Sequence, residues 1–460
     1  MTKVDATQLC AKVAPARQAA YLALRKVELD GAYAHIAWQA ARKELSTVDA
    51  GLAQEIVFGV LTWRRLLDHW LQTRSRLPLA KVQPEVLLTL RMALFQLRFL
   101  DRVPAYAVVN DAVEQAKAVG KSAAPFVNGV LRAALRERDY LAPILRLEDG
   151  ANCDPSLWGL RLSYPDWLVE RLTRTFGDAA CAVLIALNQK PQRAVRVNAA
   201  KGSREAALAR LEQEGVQALP SPVAPSGLRL PQGVPPTDLE AYKAGWISLQ
   251  GESSMLVAPL FGDLRGKTLL DACAAPGGKG LHAAEAARGG AAVTMVELHA
   301  SRAAIIREQI RRLGVSGVSV VVGDAHEVGG RYDAVLLDAP CSGIGTMARK
   351  PDIKWRMKPQ DLEKLAGVQA QLLDSLAERV MRNGTLVYTT CTLSPLENEW
   401  QIQGFLKRHP EFRLRPAKEL SRVAVAWAKW NRATGMTYIL PQDFHGDGFF
   451  IAVLERNRDE

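Results

Sequence analysis

The stretch LLDACAAPGGKG (269–280) decides the fold. Its first half is a short apolar run ending in an acid, the pattern of a strand buried on both faces. Its second half turns on Gly277 and Gly278 and then opens a helical pattern. Glycines there let the backbone approach a ligand, and the helix N-terminus offers free N–H groups. The same texture continues downstream. AVTMVE (292–297), VSVVVG (318–323), YDAVLLD (332–338) and GTLVYTT (384–390) read as further strands. Between them lie amphipathic helices, with Ile306, Ile310 and Leu313 on one face and Leu362, Leu365, Leu372 and Leu376 on another. This alternation predicts an α/β fold with a Rossmann-like, mostly parallel sheet covered on both faces. FFIAVLE (449–455) is expected to add an antiparallel edge strand. In such a sheet ligands bind at the carboxyl ends of the strands, where the glycine loop lies.

Upstream the texture changes. Residues 1–148 read as an all-helical domain. Val86, Leu90, Leu94 and Leu97 recur at helical spacing behind Pro84, a first-turn proline. Arginines such as Arg64, Arg65, Arg132, Arg136 and Arg138 read as solvated helical faces. Residues 149–244 read as a small α+β connecting domain. It has a helix opening near Pro165, a strand in RAVRVNA (193–199) and a serine-capped helix in SREAALARLEQEG (203–215). PSPVAPSGLRLPQGVPP (220–236) reads as a loop, and residues 245–460 form the sheet domain.

The formal net charge of +11 favours a polyanionic partner. No apolar run reaches the roughly 20 residues that span a bilayer, and the first residues lack a signal-peptide core, so a cytoplasmic protein is expected. The cysteines Cys10, Cys153, Cys181, Cys273, Cys341 and Cys391 form no CxxC pair. Neither a structural zinc site nor a disulfide framework is expected, and no metal. Cys10, Cys153 and Cys181 read as small core residues. The other three fall inside motifs.

Glu297 ends the second strand, 20 residues beyond Gly277. A carboxylate there can accept hydrogen bonds from two ribose hydroxyls. Lys279 can meet a carboxylate, and Asp324, in the turn after the third strand, can receive the exocyclic amine of an adenine. Each acid alone could be a strand-end cap. Together they suit S-adenosylmethionine better than a dinucleotide, because no GxGxxG cradle is present. Asp338 and Cys341 stand at the end of the fourth strand and Cys391 at the end of the fifth. Two thiols and a carboxyl beside such a cofactor suit methylation of pyrimidine C5. A thiolate adding to C6 makes C5 an enamine carbon, a carboxylic acid near N3 can donate to the ring, and a base then removes the C5 proton.

CAAPGGKG, LLDAPCSGIGTMARKPDIKW, YTTCTLSPLENE and GDGFF resemble the RNA cytosine-C5 methyltransferases of the NOL1/NOP2/Sun family. APARQAAYLALRKV, DRVPAYAVVNDAVEQAK and FVNGVLRAALRE resemble the NusB-type helical RNA-binding domain. The resemblance implies a class I methyltransferase, with a seven-stranded sheet, acting on the 16S RNA of the small ribosomal subunit. It implies Cys391 as nucleophile and Cys341 as the residue assisting breakdown of the covalent product. It also implies S-adenosylmethionine held by Cys273, Ala274, Ala275, Pro276, Gly277, Gly278 and Lys279, with Glu297, Asp324 and Asp338. A monomer without membrane attachment is expected. Two positions depart from the family pattern: Glu297 stands where aspartate is common, and Gln250-Gly251 where a Gln-Asp pair is favoured.

In MARKPDIKWRMK, the residues Arg349, Lys350, Lys354 and Arg356 surround Trp355, a mixture suited to phosphate contact with a stacking surface. Trp355 packed inward under a charged lid is the competing reading. The competing functional classes are a non-catalytic RNA-binding or antitermination factor and a methyltransferase of transfer RNA or protein. A loop or splayed strand is the expected target, because the base must leave its stack.

Overall fold

A computed structural model describes residues 13–75, 77–136, 155–416 and 435–457. Cys10, Cys153 and Arg138, and the expected boundary near residue 148, lie outside these residues. The chain divides into two compact units. One runs to Asn188 and includes Lys350–Arg356; the other holds Gln189–Arg349 and the chain from Met357.

The first unit is helical. Helices Pro15–Glu28, Ala34–Ala41, Thr47–Arg74, Pro84–Phe99, Ala105–Val119 and Ala123–Arg136 share one apolar core. Pro84 sits in the first turn of its helix, and Val86, Leu90 and Leu94 are buried as their spacing predicts. Arg91 ties three helices together, its guanidinium donating to Asp68 at 2.6 and 2.8 Å and to Glu28 at 3.1 Å. Two of the arginines expected as a solvated face are engaged instead. Arg64 pairs with Glu28 at 3.2 Å, and Arg65 with Asp166 at 2.6 Å. Helices Pro155–Arg161, Asp166–Phe176 and Ala180–Ala186 lie within this unit.

The second unit contains two sheets. The smaller one has strands β1 (Ala194–Val197), β2 (Leu219–Pro220), β3 (Gly227–Arg229) and β4 (Ile247–Leu249), in the antiparallel order β2-β3-β1-β4. β3 lies inside the stretch expected to be loop, and β4 lies beyond the expected boundary at 245.

The larger sheet contains β5 (Thr268–Asp271), β6 (Ala292–Glu297), β7 (Val318–Val322), β8 (Tyr332–Asp338), β9 (Val380–Thr390), β10 (Phe412–Leu414), β11 (Met436–Ile439) and β12 (Phe449–Arg456). The strands β7-β6-β5-β8-β9 are parallel, and β12 joins β9 antiparallel. Among the described residues the sheet has eight strands rather than seven, and β12 is not its edge. β11 pairs with the first half of β12 and β10 with its last residues, both antiparallel. A strand paired on both edges and covered on both faces has no polar side to show, which explains the unbroken apolar run FFIAVL. The chain leaves β5 for β6 and β7, then returns to β8 on the other side of β5. The point between β5 and β8 is therefore the switch point at which open sheets bind ligands.

One buried ion pair links β1 to the helix Gly278–Ala286 that follows the glycine loop. Arg196 is 1% exposed and Glu285 0%. The guanidinium donates to Glu285 at 2.6 and 2.9 Å, to the carbonyl of Gly278 at 2.7 Å, and to Gln250 Oε1. Removing one partner of a buried pair strands a charge and costs about 3–5 kcal/mol, whereas removing both can be nearly neutral. Chemical denaturation is thus expected to show Arg196→Met strongly destabilised and Arg196→Met/Glu285→Leu restored toward the parent. A double variant as unstable as the single one would contradict this account.

Candidate active site

The register of β8 against β9 builds the site. Asp338 lies opposite Thr389, so the two strands end together. Thr389 Oγ1 donates to Asp338 Oδ1 at 2.9 Å, and Lys279, from the glycine loop, donates to Asp338 Oδ2 at 2.5 Å. Three residues past Asp338 is Cys341, and two past Thr389 is Cys391; their sulfurs stand 3.4 Å apart. The convergence expected from sequence is present. Two details differ. Lys279 is bonded to Asp338 rather than turned to a ligand, and both Asp338 oxygens accept hydrogen bonds. In this ion pair the donor at the corner is the Lys279 ammonium, not the carboxyl.

The cysteines are electrostatically unequal. Cys341 is held well above the usual thiol range by its hydrogen bond with Cys391, by burial and by the Cys391 charge; Glu397 and Asp338 add to this. The Lys279 ammonium is disfavoured by burial, yet its proton is held more tightly than in water. Asp338 supplies most of that gain, and the Cys391 and Asp271 charges add to it. Cys341 therefore holds its proton tightly, and the Lys279 ammonium stands as counter-charge beside the pair. Cys273 is pushed up to about 12 by burial and by the acids Asp271, Asp338 and Glu297. It stays a thiol.

The glycine loop needs its glycines. Gly277 caps the helix at φ +105°, a left-handed conformation. A Cβ at Gly280 would lie 2.6 Å from Asp271 Oδ2. Asp271, at the end of β5, is 1% exposed. Burial and the Asp338 charge raise its carboxyl to about 7, against the pull of Lys279 and the Gly280 and Cys273 N–H groups. Beside this loop lies a cavity of about 190 Å³, lined by Gln250, Asp271, Ala274, Ala275, Pro276, Gly278, Lys279 and Asp338 among others. Gln250 Nε2 and Asp271 Oδ1 are both buried without a hydrogen-bond partner among the described residues. Both residues belong to the cavity lining, so polar groups border it. Sequence reasoning passed over Asp271, Gln250 and Arg196, although the first ends the apolar run that decided the fold.

Glu297 and Asp324 stand at the ends of β6 and β7, outside that cavity lining. Glu297 is buried, accepts the His299 N–H at 3.0 Å and lies 3.4 Å from Arg302, which also donates to the Ala275 carbonyl. Asp324 is exposed and caps the short turn Ala325–Glu327 through the His326 N–H at 3.0 Å. Among the described residues, no group of three or more His, Cys, Asp or Glu is gathered to hold a metal, and no helix is long and apolar enough to cross a membrane.

Comparison with known proteins agrees with this geometry. Residues 261–455 match the family described as 16S rRNA methyltransferase RsmB/F, residues 14–136 the NusB family, and residues 164–237 the ferredoxin-like domain of RsmF/B-like methyltransferases. The probable ribosomal RNA small subunit methyltransferase B of Bacillus subtilis is 35% identical, covering 96% of this chain and 98% of that protein. Its counterpart in Synechocystis is 36% identical over 96% and 99%. The chain belongs to the RsmB/F methyltransferase family. Among solved structures, PH0851 superposes with a TM-score of 0.77 at 25% identity, covering 97% of this chain and 99% of that one. A methyltransferase homologue from Pyrococcus horikoshii does so with 0.57 at 28%, covering 66% and 100%.

The basic loop departs from expectation. Lys354 is 1% exposed. Its ammonium donates to the Thr62 carbonyl at 3.2 Å, to the Ser163 carbonyl at 3.4 Å and to Asn188, and it lies 3.7 Å from the centre of the Tyr164 ring. Burial lowers its pKa well below the usual lysine value. Trp355 packs inward, donating to the Leu61 carbonyl at 2.6 Å with Arg64 over its face. Arg356 donates to the carbonyls of Gly31 and Ala32. These three side chains are engaged inside the helical unit; Lys354 is buried, and Trp355 and Arg356 are half-buried. Arg349 and Lys350 are exposed, and Arg349 pairs with Asp447 at 2.9 Å.

The unequal thiols give a direct test. Because the thiolate is the reacting form, brief iodoacetamide treatment at mild alkaline pH is expected to modify Cys391 ahead of Cys341 and Cys273. Peptide mass spectrometry of the full chain reads the order. Labelling of Cys341 first would reverse the assignment.

Proposed function

We propose that this methyltransferase transfers a methyl group from S-adenosylmethionine to C5 of a cytosine in the 16S RNA of the small ribosomal subunit. The reaction passes through a covalent bond between Cys391 Sγ and ring C6. The observation that carries this reading is the 3.4 Å pair of sulfurs at adjoining strand ends, beside the Lys279–Asp338 ion pair. The division into a NusB-like helical part (1–148), a connecting part (149–244) and a catalytic part (245–460) belongs to the same reading, with the helical part and the exposed Arg349 and Lys350 meeting RNA.

The residues fit the cofactor. An amino-acid end carries one ammonium and one carboxylate, and the residues lining the cavity include the acid Asp271 and the donors Gln250 and Lys279. The run Cys273–Lys279 supplies the backbone, and Glu297 and Asp324 at the next strand ends suit ribose and adenine. When bound, the sulfonium supplies an electrophilic methyl group. The chain's own residues prepare the base. Cys391 adds to C6, and the Lys279 ammonium meets the negative charge that develops on the ring. C5 takes the methyl, the C5 proton leaves to a base, and the C6–sulfur bond breaks to return the Cys391 thiolate.

Cys341 suits the last stage. Two of the causes that hold its proton are the hydrogen bond to Cys391 and the Cys391 charge. Both vanish once Cys391 is bonded to C6. Cys341 therefore becomes easier to deprotonate at the stage when a base is needed.

Mapping 5-methylcytosine in 16S RNA from cells with and without the protein tests substrate and reaction together; an unchanged map would refute them. Cys391→Ala is expected to abolish turnover and leave no protein–RNA adduct. Cys341→Ala should accumulate an adduct that survives denaturant. The reverse pattern would exchange the two roles. Cofactor affinity should also depend on pH, because an ionised Asp271 is the better partner for an ammonium. With its carboxyl near 7, affinity measured by calorimetry should rise roughly tenfold between about pH 6 and pH 8. Asp271→Asn should flatten that profile.

A further inference from the structure

The run SPLENE (394–399) follows the Cys391 strand end, and its first acid, Glu397, has no part in the chemistry described so far. Glu397 is completely buried. A buried carboxylate is costly unless donors surround it, and four do. Oε1 accepts from the Ser342 N–H at 2.8 Å and from Gln369 Nε2 at 3.2 Å. Oε2 accepts from Ser342 Oγ at 2.6 Å and from Thr392 Oγ1 at 3.1 Å, and those hydroxyls touch each other at 2.7 Å. Burial pushes the carboxyl above the usual range, and these hydrogen bonds pull it back.

The donors are placed with purpose. Ser342 directly follows Cys341, and Thr392 directly follows Cys391. Gln369 also donates to the carbonyl of Pro340, so Cys341 is held on both sides. The neighbouring Asn398 accepts from Thr390 Oγ1 at 2.6 Å and donates to the Thr392 carbonyl at 3.1 Å, so Cys391 is held on both sides as well. One further bond, from the Gly345 N–H to the Cys391 carbonyl at 2.9 Å, joins the two loops directly. Among the described residues, only the Glu397 carboxylate accepts from the residues next to both thiols at once.

We propose that Glu397 is a positioning residue that joins the Cys341 and Cys391 loops through one carboxylate and so sets the spacing of the two sulfurs. The proposal rests on reading these cysteines as the reacting pair. A shift of about 1 Å at a reacting group can cost on the order of a hundredfold in rate. Loosening the clamp therefore affects adduct formation at Cys391 and adduct resolution by Cys341 together, with no change at the cofactor cavity.

The test uses the full chain and a reaction independent of methyl transfer. Diamide takes up the two thiol hydrogens, is reduced to its hydrazine and leaves a Cys341–Cys391 disulfide, whose rate reports how well the sulfurs are held together. Glu397→Ala is expected to slow that closure at least about tenfold and adduct formation by up to about a hundredfold, with cofactor affinity unchanged. Glu397→Gln should restore both to within a fewfold. Its remaining oxygen still accepts from the Ser342 N–H and Gln369, and its amide faces hydroxyls that can turn to accept. If Glu397→Ala does not fold, Ser342→Ala/Thr392→Val removes both hydroxyl arms while keeping the carboxylate, and should slow closure in the same direction. Disulfide closure at the parent rate in these variants would overturn the proposal. So would a loss of cofactor affinity in step with the loss of activity. Failure of the methylation reading alone would leave the disulfide rates as predicted.

Discussion

The alignment of two strand ends governs this protein. β8 and β9 stop opposite each other, with Asp338 level with Thr389, so whatever follows either strand must emerge at one place. Side chains do not have to search for each other across the molecule; the backbone ladder delivers them. The hydrogen bond between Thr389 and Asp338 and the ion pair from Lys279 then tie the glycine loop to the same point. A one-residue slip in that register would turn Asp338 and Thr389 to opposite faces of the sheet and separate the sulfurs. The 3.4 Å spacing is therefore a property of the sheet before it is a property of any loop.

Around this point the fold places charge where burial makes it expensive. Arg196 with Glu285 is an ionic pair withdrawn from water, and Lys279 with Asp338 is one partly withdrawn. Such pairs seldom add much stability over apolar replacements of the same shape. Here each ends on the glycine loop or on the helix it begins, and Arg196 also reaches the Gly278 carbonyl. Directional bonds hold a backbone turn more strictly than apolar packing, which is tolerant of small shifts. Lys354 follows the same logic in the helical unit. Its ammonium is fixed by two carbonyls, an amide oxygen and an aromatic face rather than by an opposite charge.

Legibility in the sequence followed the length scale of each interaction. The parallel strands could be read because burial on both faces leaves an unbroken apolar run, and the glycine loop because its conformation admits few residues. The outer strands β10 and β11 could not: Phe412–Leu414 and Met436–Ile439 are too short to show a period and exist because β12 offers them an edge. The part KW of MARKPDIKW was ambiguous for a different reason. Lys, Arg and Trp serve a phosphate surface or a polar socket equally well, because long cationic side chains can bury their stems. Carbonyls contributed by Thr62, Ser163 and Leu61, nearly two hundred residues or more away, decide between them. Gln250, Arg196 and Glu285 likewise meet only in three dimensions. Cys341 and Cys391 were legible because each directly extends a strand whose position was already known.

The open atoms at the switch point narrow what the cavity can hold. A buried polar atom without a protein partner costs about 1–3 kcal/mol, and Gln250 Nε2 and Asp271 Oδ1, on residues that line the cavity, have none among the described residues. Gln250 could have been apolar, yet Arg196 binds its carbonyl oxygen and thereby turns its amide nitrogen away from that guanidinium. Asp271 uses one oxygen on the backbone of its own loop and leaves the other open. An apolar guest would leave both atoms stranded, and a pyrophosphate would set negative charge against Asp271 and Asp338. A guest with a cationic amine and a carboxylate on neighbouring atoms satisfies both. The acids that border the cavity thus bear on which guests suit it as much as the glycines do.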